Sequence, residues 1–223
     1  MEVHPRQIPP SRCPDLARLR AAVGEFAGYT SADRSWERLL LTTGPWIDPA
    51  LPAHRRALLV WLNAWGCRLR YPRDGEHDVF SAETAGWWAR RHEHLPGRDT
   101  TLARLTDAQI DLLGECYADL SAMPATPGTR PRRLGPTAAT KLLHALRPDA
   151  LMPWDAAIAD ALHGARTAAA YRAHLRLGRE WAQRLLAETG LGEEALAVEL
   201  GRPGRPLAKM LDDYCYLAFT AAT

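Results

Sequence analysis

The sequence predicts an all-α protein of roughly nine to ten helices, forming a single domain over residues 1–223. Three observations support this prediction. Apolar residues recur at three- and four-residue steps, which is the spacing of an amphipathic helix. Proline, glycine and capping residues divide these stretches into helix-sized segments. No run of alternating β-branched residues predicts a strand. The same pattern is compatible with two lobes around a cleft.

In the first half of the chain, apolar stripes alternate with helix-start signals. The segments DLARLRAAVGEFAGY and SWERLLL carry apolar residues at helical steps, and Pro52 suits the first position of the next helix. Ser81 and Thr106 indicate two further helix starts. Thr106 with Gln109 fits a capping box, in which side chain and backbone satisfy each other's hydrogen bonds.

The second half begins with a non-helical connection. Residues 123–134 contain three prolines and a glycine, which exclude a continuous helix. Periodic segments then predict the remaining helices, at 136–147, 155–163, 167–189, 192–200 and 206–219.

Composition narrows the class of protein. The chain is 47% hydrophobic and 24% charged, as in an ordinary globular protein. No apolar run approaches the roughly 20 residues that span a bilayer, so no membrane is expected. The start of the sequence lacks the apolar core of a secretory signal, so we expect a cytoplasmic protein. The 4 cysteines lie far apart without a C-x-x-C pair, so neither a metal nor a cofactor is predicted.

Arginine is clustered although the net charge is only +2. The cluster Arg130, Arg132 and Arg133 lies in the predicted connection and is a candidate phosphate-binding stripe, and the pair Arg202 and Arg205 is a further cluster of this kind. Solvated loop positions are the alternative interpretation.

The segment RLGPTAATKLLHALRPDALMPWDAAIADALH, over 133–163, carries the clearest functional pattern. Gly135 permits a tight turn, and Pro136 suits the first position of the following helix. Exposed N–H groups at such a helix start bind phosphate. Pro148 ends the helix, and Asp155 is placed to cap the next one.

This segment resembles the hairpin and catalytic loop of the helix-hairpin-helix DNA glycosylase superfamily. Gly135 takes the place of the second hairpin glycine, and Ala138-Ala139 that of the family's Thr-Ala pair. Pro153-Trp154-Asp155 matches the catalytic loop, and 155 − 137 = 18 residues separate Thr137 from the acid. Two departures concern the hairpin: Arg133 stands at the first glycine, and Pro136 lacks an N–H.

The resemblance implies a monofunctional N-glycosylase, a hydrolase of DNA repair, with Asp155 as the catalytic acid. Thr137 occupies the position of the lysine found in bifunctional members, so no Schiff base is implied. The carboxylate would stabilise an oxocarbenium-like sugar as the base leaves. Aromatic and polar side chains would hold a planar base; the candidates are Trp61, Asn63, Trp65, Thr137, Lys141 and Trp154.

Alternatives stay open at this point. Asp155 as a helix cap alone, tryptophans in the core, and Asn63 bonded to nearby backbone explain the same residues without a ligand. Lys209 with Asp212 and Asp213 forms either a site of its own or ion pairs on a helix surface. Three hypotheses for the function therefore remain. The first is an N-glycosylase acting on nucleic acid, nucleoside or nucleotide, the second is a non-catalytic nucleic-acid-binding module, and the third is a structural protein.

Overall fold

A computed structural model of the chain describes residues 13–28, 30–128 and 131–220, with only the backbone given for Thr30 and Ala32. Two short 3-10 helices, His92–His94 and Leu102–Arg104, and an isolated antiparallel bridge between Pro124 and Arg133 accompany the α-helices. No strand occurs in these ranges, which confirms the all-α prediction. The α-helices are α1 (Leu16–Phe26), α2 (Thr30–Thr43), α3 (Pro52–Ala64), α4 (Val79–Arg91), α5 (Asp107–Ala122), α6 (Pro136–Leu146), α7 (Ala156–His163), α8 (Ala168–Thr189), α9 (Glu193–Glu199) and α10 (Leu207–Thr220).

Helix starts follow the capping chemistry of the sequence. The capping box is confirmed: the Gln109 N–H donates to Oγ1 of Thr106 over 3.2 Å, and the Thr106 N–H donates to Oε1 of Gln109 over 2.9 Å. Ser81, by contrast, does not open α4. Asp78 caps that helix because its carboxylate accepts from the Ser81 N–H at 2.9 Å.

The helices pack around one contiguous cluster of buried apolar side chains, to which α1 through α10 all contribute. Helix α5 lies against α6 and α8, α2 against α3, and α10 against α1 and α7. Gly178 on α8 permits a close approach, because a Cβ there would lie 3.0 Å from the sulfur of Met152. Within the described ranges, no helix is long and apolar enough to cross a membrane.

The connection between α5 and α6 folds back on itself as a short hairpin. The Ala125 N–H donates to the Arg132 carbonyl over 2.8 Å, and the Leu134 N–H donates to the Met123 carbonyl over 2.8 Å. Gly135 then takes a positive φ of 83°, which directs the chain into α6. This arrangement brings α6 back against α5 and starts the segment that carries Asp155.

Candidate active site

Asp155 combines two roles that are alternatives when only the sequence is considered. It caps α7, with Oδ1 accepting from the Ile158 N–H at 2.8 Å. It also lines a pocket of about 190 Å³ whose wall includes Trp65, Lys141 and Asp212. Among the described residues, Oδ2 of Asp155 has no hydrogen-bond partner. One oxygen therefore fixes the carboxylate on the helix, and the other is available for a further hydrogen bond.

The loop that delivers Asp155 is held by side chains of α6. Nδ1 of His144 lies 2.8 Å from the Leu151 carbonyl oxygen. The Trp154 N–H donates to Oγ1 of Thr140 at 3.3 Å, and this hydroxyl also lies 3.2 Å from the Trp154 carbonyl oxygen. Thr140 is fully buried. The backbone before Asp155 is consequently bonded on both sides of Trp154, which fixes the direction from which the acid enters the pocket.

Two buried histidines support the same loop from α7 and α8. Nε2 of His174 lies 3.2 Å from the Pro153 carbonyl oxygen, and Nδ1 of His174 lies 3.2 Å from Nε2 of His163. Burial lowers the pKa of His174 to about 4, and burial with the neighbouring His174 lowers the pKa of His163 to about 3. Both rings are thus neutral at pH 7. His174 donates to Pro153, and His163 donates to His174.

Trp65 is one of the aromatic residues that line the pocket. It is partly buried, and its indole N–H donates to Oγ of Ser35 over 2.9 Å. Its ring centroid lies 4.7 Å from that of Trp61. Nζ of Lys141 donates to the Trp65 carbonyl over 2.6 Å. Lys141 therefore binds the protein backbone within the pocket wall, where the sequence suggested a substrate contact.

Three of the predicted substrate contacts have side chains that are packed or hydrogen-bonded within the protein. Trp154 lines the Asp155 pocket, but its side chain is fully buried in the core, with its ring centroid 5.1 Å from that of His174. Trp61 is 2% exposed and supports Trp65 from behind. Asn63 clamps the chain after α3, because its amide donates to the Leu69 carbonyl at 2.8 Å and accepts from the Leu69 N–H at 2.6 Å. This geometry agrees with the alternative interpretation, in which Asn63 hydrogen-bonds nearby backbone.

The predicted phosphate site is only partly available. The Gly135 N–H donates to the Ser121 carbonyl over 3.1 Å, so it is not free for an anion. Thr137 does not line the Asp155 pocket, and its carbonyl accepts from the Thr140 hydroxyl at 3.1 Å. Arg132 is exposed and donates to the Arg68 carbonyl over 2.8 Å.

Of the rest of the arginine cluster, only Arg133 is described. Arg133 is exposed, and Arg130 lies outside the described residues. The hairpin therefore presents arginine to solvent without forming a closed site.

A second pocket, of about 240 Å³, was not predicted. It shares Trp65 and Lys209 with the Asp155 pocket and is lined further by Asp33, Trp36 and His144. Its residues come from α2, the end of α3, α6 and the loop after it, the α9–α10 connection and α10. No local motif joins these segments, so the pocket arises only from the packing of distant helices.

The ion pairs at this second pocket also correct the sequence interpretation. Lys209 and Asp213 are 7% and 1% exposed, so they do not form a surface ion pair. Nζ of Lys209 donates to both Asp212 and Asp213. Burial alone would lower its pKa, but these two carboxylates raise the pKa of Lys209 above its ordinary value. The apolar residues on both sides of these charges in LAKMLDDYCYL are the sequence signal for burial.

Two arginines complete this network. Arg205 donates to Oδ1 of Asp33 at 2.6 Å and to Oδ2 of Asp213 at 2.7 Å, and Arg202 donates to Oδ2 of Asp33 at 2.7 Å. Burial opposes the effect, but the guanidinium groups hold the pKa of Asp33 below its usual range. The network has three cations and three anions among the described residues, so it is neutral as a whole. The predicted phosphate role of Arg202 and Arg205 is replaced by pairing within the protein.

No protein-family model, curated protein or solved structure matches this chain significantly. Among the described residues, no group of three or more histidine, cysteine and acidic side chains is placed to hold a metal ion. The glycosylase resemblance stays a hypothesis. The two adjoining pockets and the carboxylate of Asp155 are the features on which a function is proposed.

Proposed function

We propose that this protein hydrolyses the N-glycosidic bond of a nucleoside, nucleotide or nucleic acid, with Asp155 as the catalytic carboxylate. The observation that carries the proposal is the position of Asp155. One of its oxygens is bonded to the start of α7, the other has no partner in the described chain, and the residue lines a pocket together with Trp65. A fixed carboxylate beside an aromatic ring suits a reaction in which a sugar becomes cationic.

In the proposed reaction the bond between the anomeric carbon and the base nitrogen breaks, and its electron pair leaves with the base. The carboxylate of Asp155 stabilises the positive charge that develops on the sugar. A water oxygen then bonds to the anomeric carbon and loses one proton to the carboxylate or to solvent, and the departing base takes up one proton from solvent. The helix start adds to this arrangement, because the partial positive charge of a helix N-terminus favours a carboxylate at the capping position.

The size of the pockets limits the substrate. Volumes of about 190 and 240 Å³ are each below the roughly 300–1,000 Å³ of a pocket for a drug-sized ligand. Each pocket therefore suits a single ring system. The adjoining pair suits a group made of two joined rings, as a base joined to a sugar is.

Covalent catalysis through an amine is not part of the proposal. Thr137 has no amine, and Nζ of Lys141 already donates to the Trp65 carbonyl over 2.6 Å. A nucleophilic lysine would need to be free and deprotonated. The sugar is therefore expected to be released by water alone.

A non-catalytic nucleic-acid-binding module is the second candidate. The exposed side chains of Arg132 and Arg133 on the α5–α6 hairpin favour it, because phosphate contacts need cationic groups at the surface. Such a module would bind oligonucleotides without releasing a base.

The experiment that tests the proposal measures base release. The purified protein is incubated with free nucleosides, nucleotides and oligonucleotides that contain damaged bases, and the released base is quantified by chromatography. We expect release from at least one substrate, and no protein–sugar adduct after borohydride reduction. The absence of release across the whole panel, together with oligonucleotide binding, would support the second candidate instead.

A further inference from the structure

The second pocket has an aromatic wall built from three rings. The ring centroid of His144 lies 5.9 Å from that of Trp36, with 37° between the planes, and 6.4 Å from that of Trp65, with 29° between the planes. All three residues line the pocket. A flat heteroaromatic ring would bind such a wall well, because it can stack on the aromatic rings and bury apolar surface at the same time.

The protonation of His144 determines what the wall recognises. Its Nδ1 lies 2.8 Å from the Leu151 carbonyl oxygen, which accepts only, so the proton of the neutral ring is on Nδ1. Burial lowers the pKa of His144 to about 4, so the ring is neutral at pH 7. Nε2 is then an acceptor. It has no partner among the described residues, although His144 is only 3% exposed.

One acidic side chain of the pocket adds a further acceptor. Asp33 and Glu37 both line the pocket, but both oxygens of Asp33 already accept from arginines, whereas Glu37 is exposed. The cations deepest in the same region are already engaged: Arg205 and Lys209 are 12% and 9% exposed at the side chain and donate to carboxylates. A ring that carries N–H donors therefore complements the pocket.

We propose that the second pocket binds the base of the substrate, and that this base is an amino-substituted heteroaromatic ring whose N–H donates to Nε2 of His144. This inference rests on the proposed function, because it assigns the sugar to the Asp155 pocket on the other side of Trp65. The two pockets share Trp65 and Lys209 in their walls, and the proposal requires one nucleoside to reach from one pocket into the other. His144 is then the residue that selects the base.

The test uses four nucleosides as probes and the full-length Asp155→Asn protein, in which turnover is removed. Adenosine is compared with purine riboside, and cytidine with the riboside of 2-pyrimidinone, because each pair differs only in the amino group. Affinities are measured by isothermal titration calorimetry. We expect at least one amino nucleoside to bind about tenfold more tightly than its partner, the size of effect that one buried hydrogen bond supplies. Equal affinities within both pairs, or no binding at millimolar concentrations, would overturn the inference.

A second substitution identifies the acceptor. His144→Asn, added to the Asp155→Asn protein, keeps an N–H donor for Leu151 and removes the acceptor at the position of Nε2. The preference for the amino nucleoside should disappear. A preference retained in the double variant would assign the recognition to another group. If this variant does not fold, the ¹⁵N resonance of His144 Nε2 in the Asp155→Asn protein replaces it: adenosine or cytidine should shift the resonance, and an unchanged resonance would contradict the inference.

Failure of this inference is distinguishable from failure of the proposed function. Base release by the wild-type protein, with no preference in the binding assay, would leave the glycosylase proposal intact and remove the role of His144. Preferential binding without any base release would keep the second pocket as a base-binding site and remove the hydrolytic role of Asp155.

Discussion

The ammonium group of Lys209 lies 5.3 Å from the centroid of the Trp65 indole, at the place where the two pockets adjoin. The same Nζ atom lies 4.8 Å from the centroid of Phe26, so a buried cation sits between two aromatic rings. Such contacts contribute up to about 2 kcal/mol when they are desolvated. Lys209 therefore links the charge network to the aromatic wall of the site.

The first prediction concerns this cation. Lys209→Met leaves the buried carboxylate of Asp213 with one partner fewer, so we expect the free energy of unfolding to fall by about 3 kcal/mol. Urea denaturation measures the change. Arg166→Met is the matched control, because it removes an ion pair with Asp160 in which both side chains are about half exposed and should cost less than about 1 kcal/mol. Similar decreases in the two variants would contradict the importance of the buried network.

The second prediction separates the structural role of Asn63 from ligand recognition. Asn63→Ala removes both hydrogen bonds to Leu69 and leaves two partly buried backbone groups unpaired. We expect stability to decrease by about 1–3 kcal/mol, with no change in the affinity for nucleosides. Calorimetric titration of the folded variant provides the second half of the test. A selective decrease in nucleoside binding, with stability unchanged, would restore Asn63 to the site.

The third prediction is a dependence of stability on pH. The unfolded chain binds protons on histidine near its ordinary pKa of about 6.5, whereas burial lowers the pKa of His144 and His174 to about 4 and that of His163 to about 3. Between these values the unfolded state binds more protons, so stability is complete above pH 6.5 and decreases as the pH falls. The slope approaches about 1.4 kcal/mol per pH unit for each histidine.

The urea concentration at the midpoint of unfolding, measured from pH 7.5 down to 5, tests this dependence. His174→Gln keeps a donor for the Pro153 carbonyl and removes one titrating ring. The change of stability with pH should therefore be smaller in this variant, by the contribution of one histidine. A wild-type midpoint that does not change with pH would contradict the assignment of neutral buried imidazoles.

The helices can be predicted from the sequence to a large extent, because caps and breakers are local. Thr106, Pro52 and Thr167 act within a few residues of themselves, and the structure places a helix start at each. The predicted start of α4 is wrong because Ser81 and Asp78 are both good caps, and only the observed hydrogen bond distinguishes them. Local chemistry predicts that a helix is present, but it predicts the first residue of that helix less well.

The site can be predicted only in part. Residue type and spacing indicate Asp155 and Trp65, and these two residues lie in one pocket. The second pocket depends on Asp33 and His144, whose proximity results from packing across most of the chain. Trp154 also lines the Asp155 pocket, but its indole lies in the core, because adjacency to Asp155 in sequence says nothing about the direction of the side chain.

The fourth prediction tests the arginine hairpin. Replacing Arg130, Arg132 and Arg133 together by alanine should weaken oligonucleotide binding and lower the log–log salt slope by about one for each phosphate that the protein no longer binds. Fluorescence anisotropy at several salt concentrations measures both quantities. Arg166→Ala, an exposed arginine away from the hairpin, is the control. An affinity and slope equal to those of the wild type would exclude the hairpin as a docking surface.

The final prediction concerns the charge of Asp155. Asparagine caps helices nearly as well as aspartate, so Asp155→Asn should change stability by only a few tenths of a kcal/mol. It removes the negative charge that the cationic sugar requires, so turnover on the substrate found in the base-release panel should fall by at least about 100-fold. Asp78→Asn is the matched control, since Asp78 caps α4 through an equivalent bond to the Ser81 N–H and lines neither of the two adjoining pockets.

The single-turnover rate of base release, measured for the wild type and these two variants in parallel with their unfolding free energies, decides whether Asp155 is the catalytic carboxylate. We expect all three proteins to be about equally stable, Asp78→Asn to retain the wild-type rate, and only Asp155→Asn to lose at least about 100-fold in rate. Equal rates for Asp155→Asn and the wild type would contradict the claim. Asp212, which lines the same pocket, would then be the carboxylate to replace next.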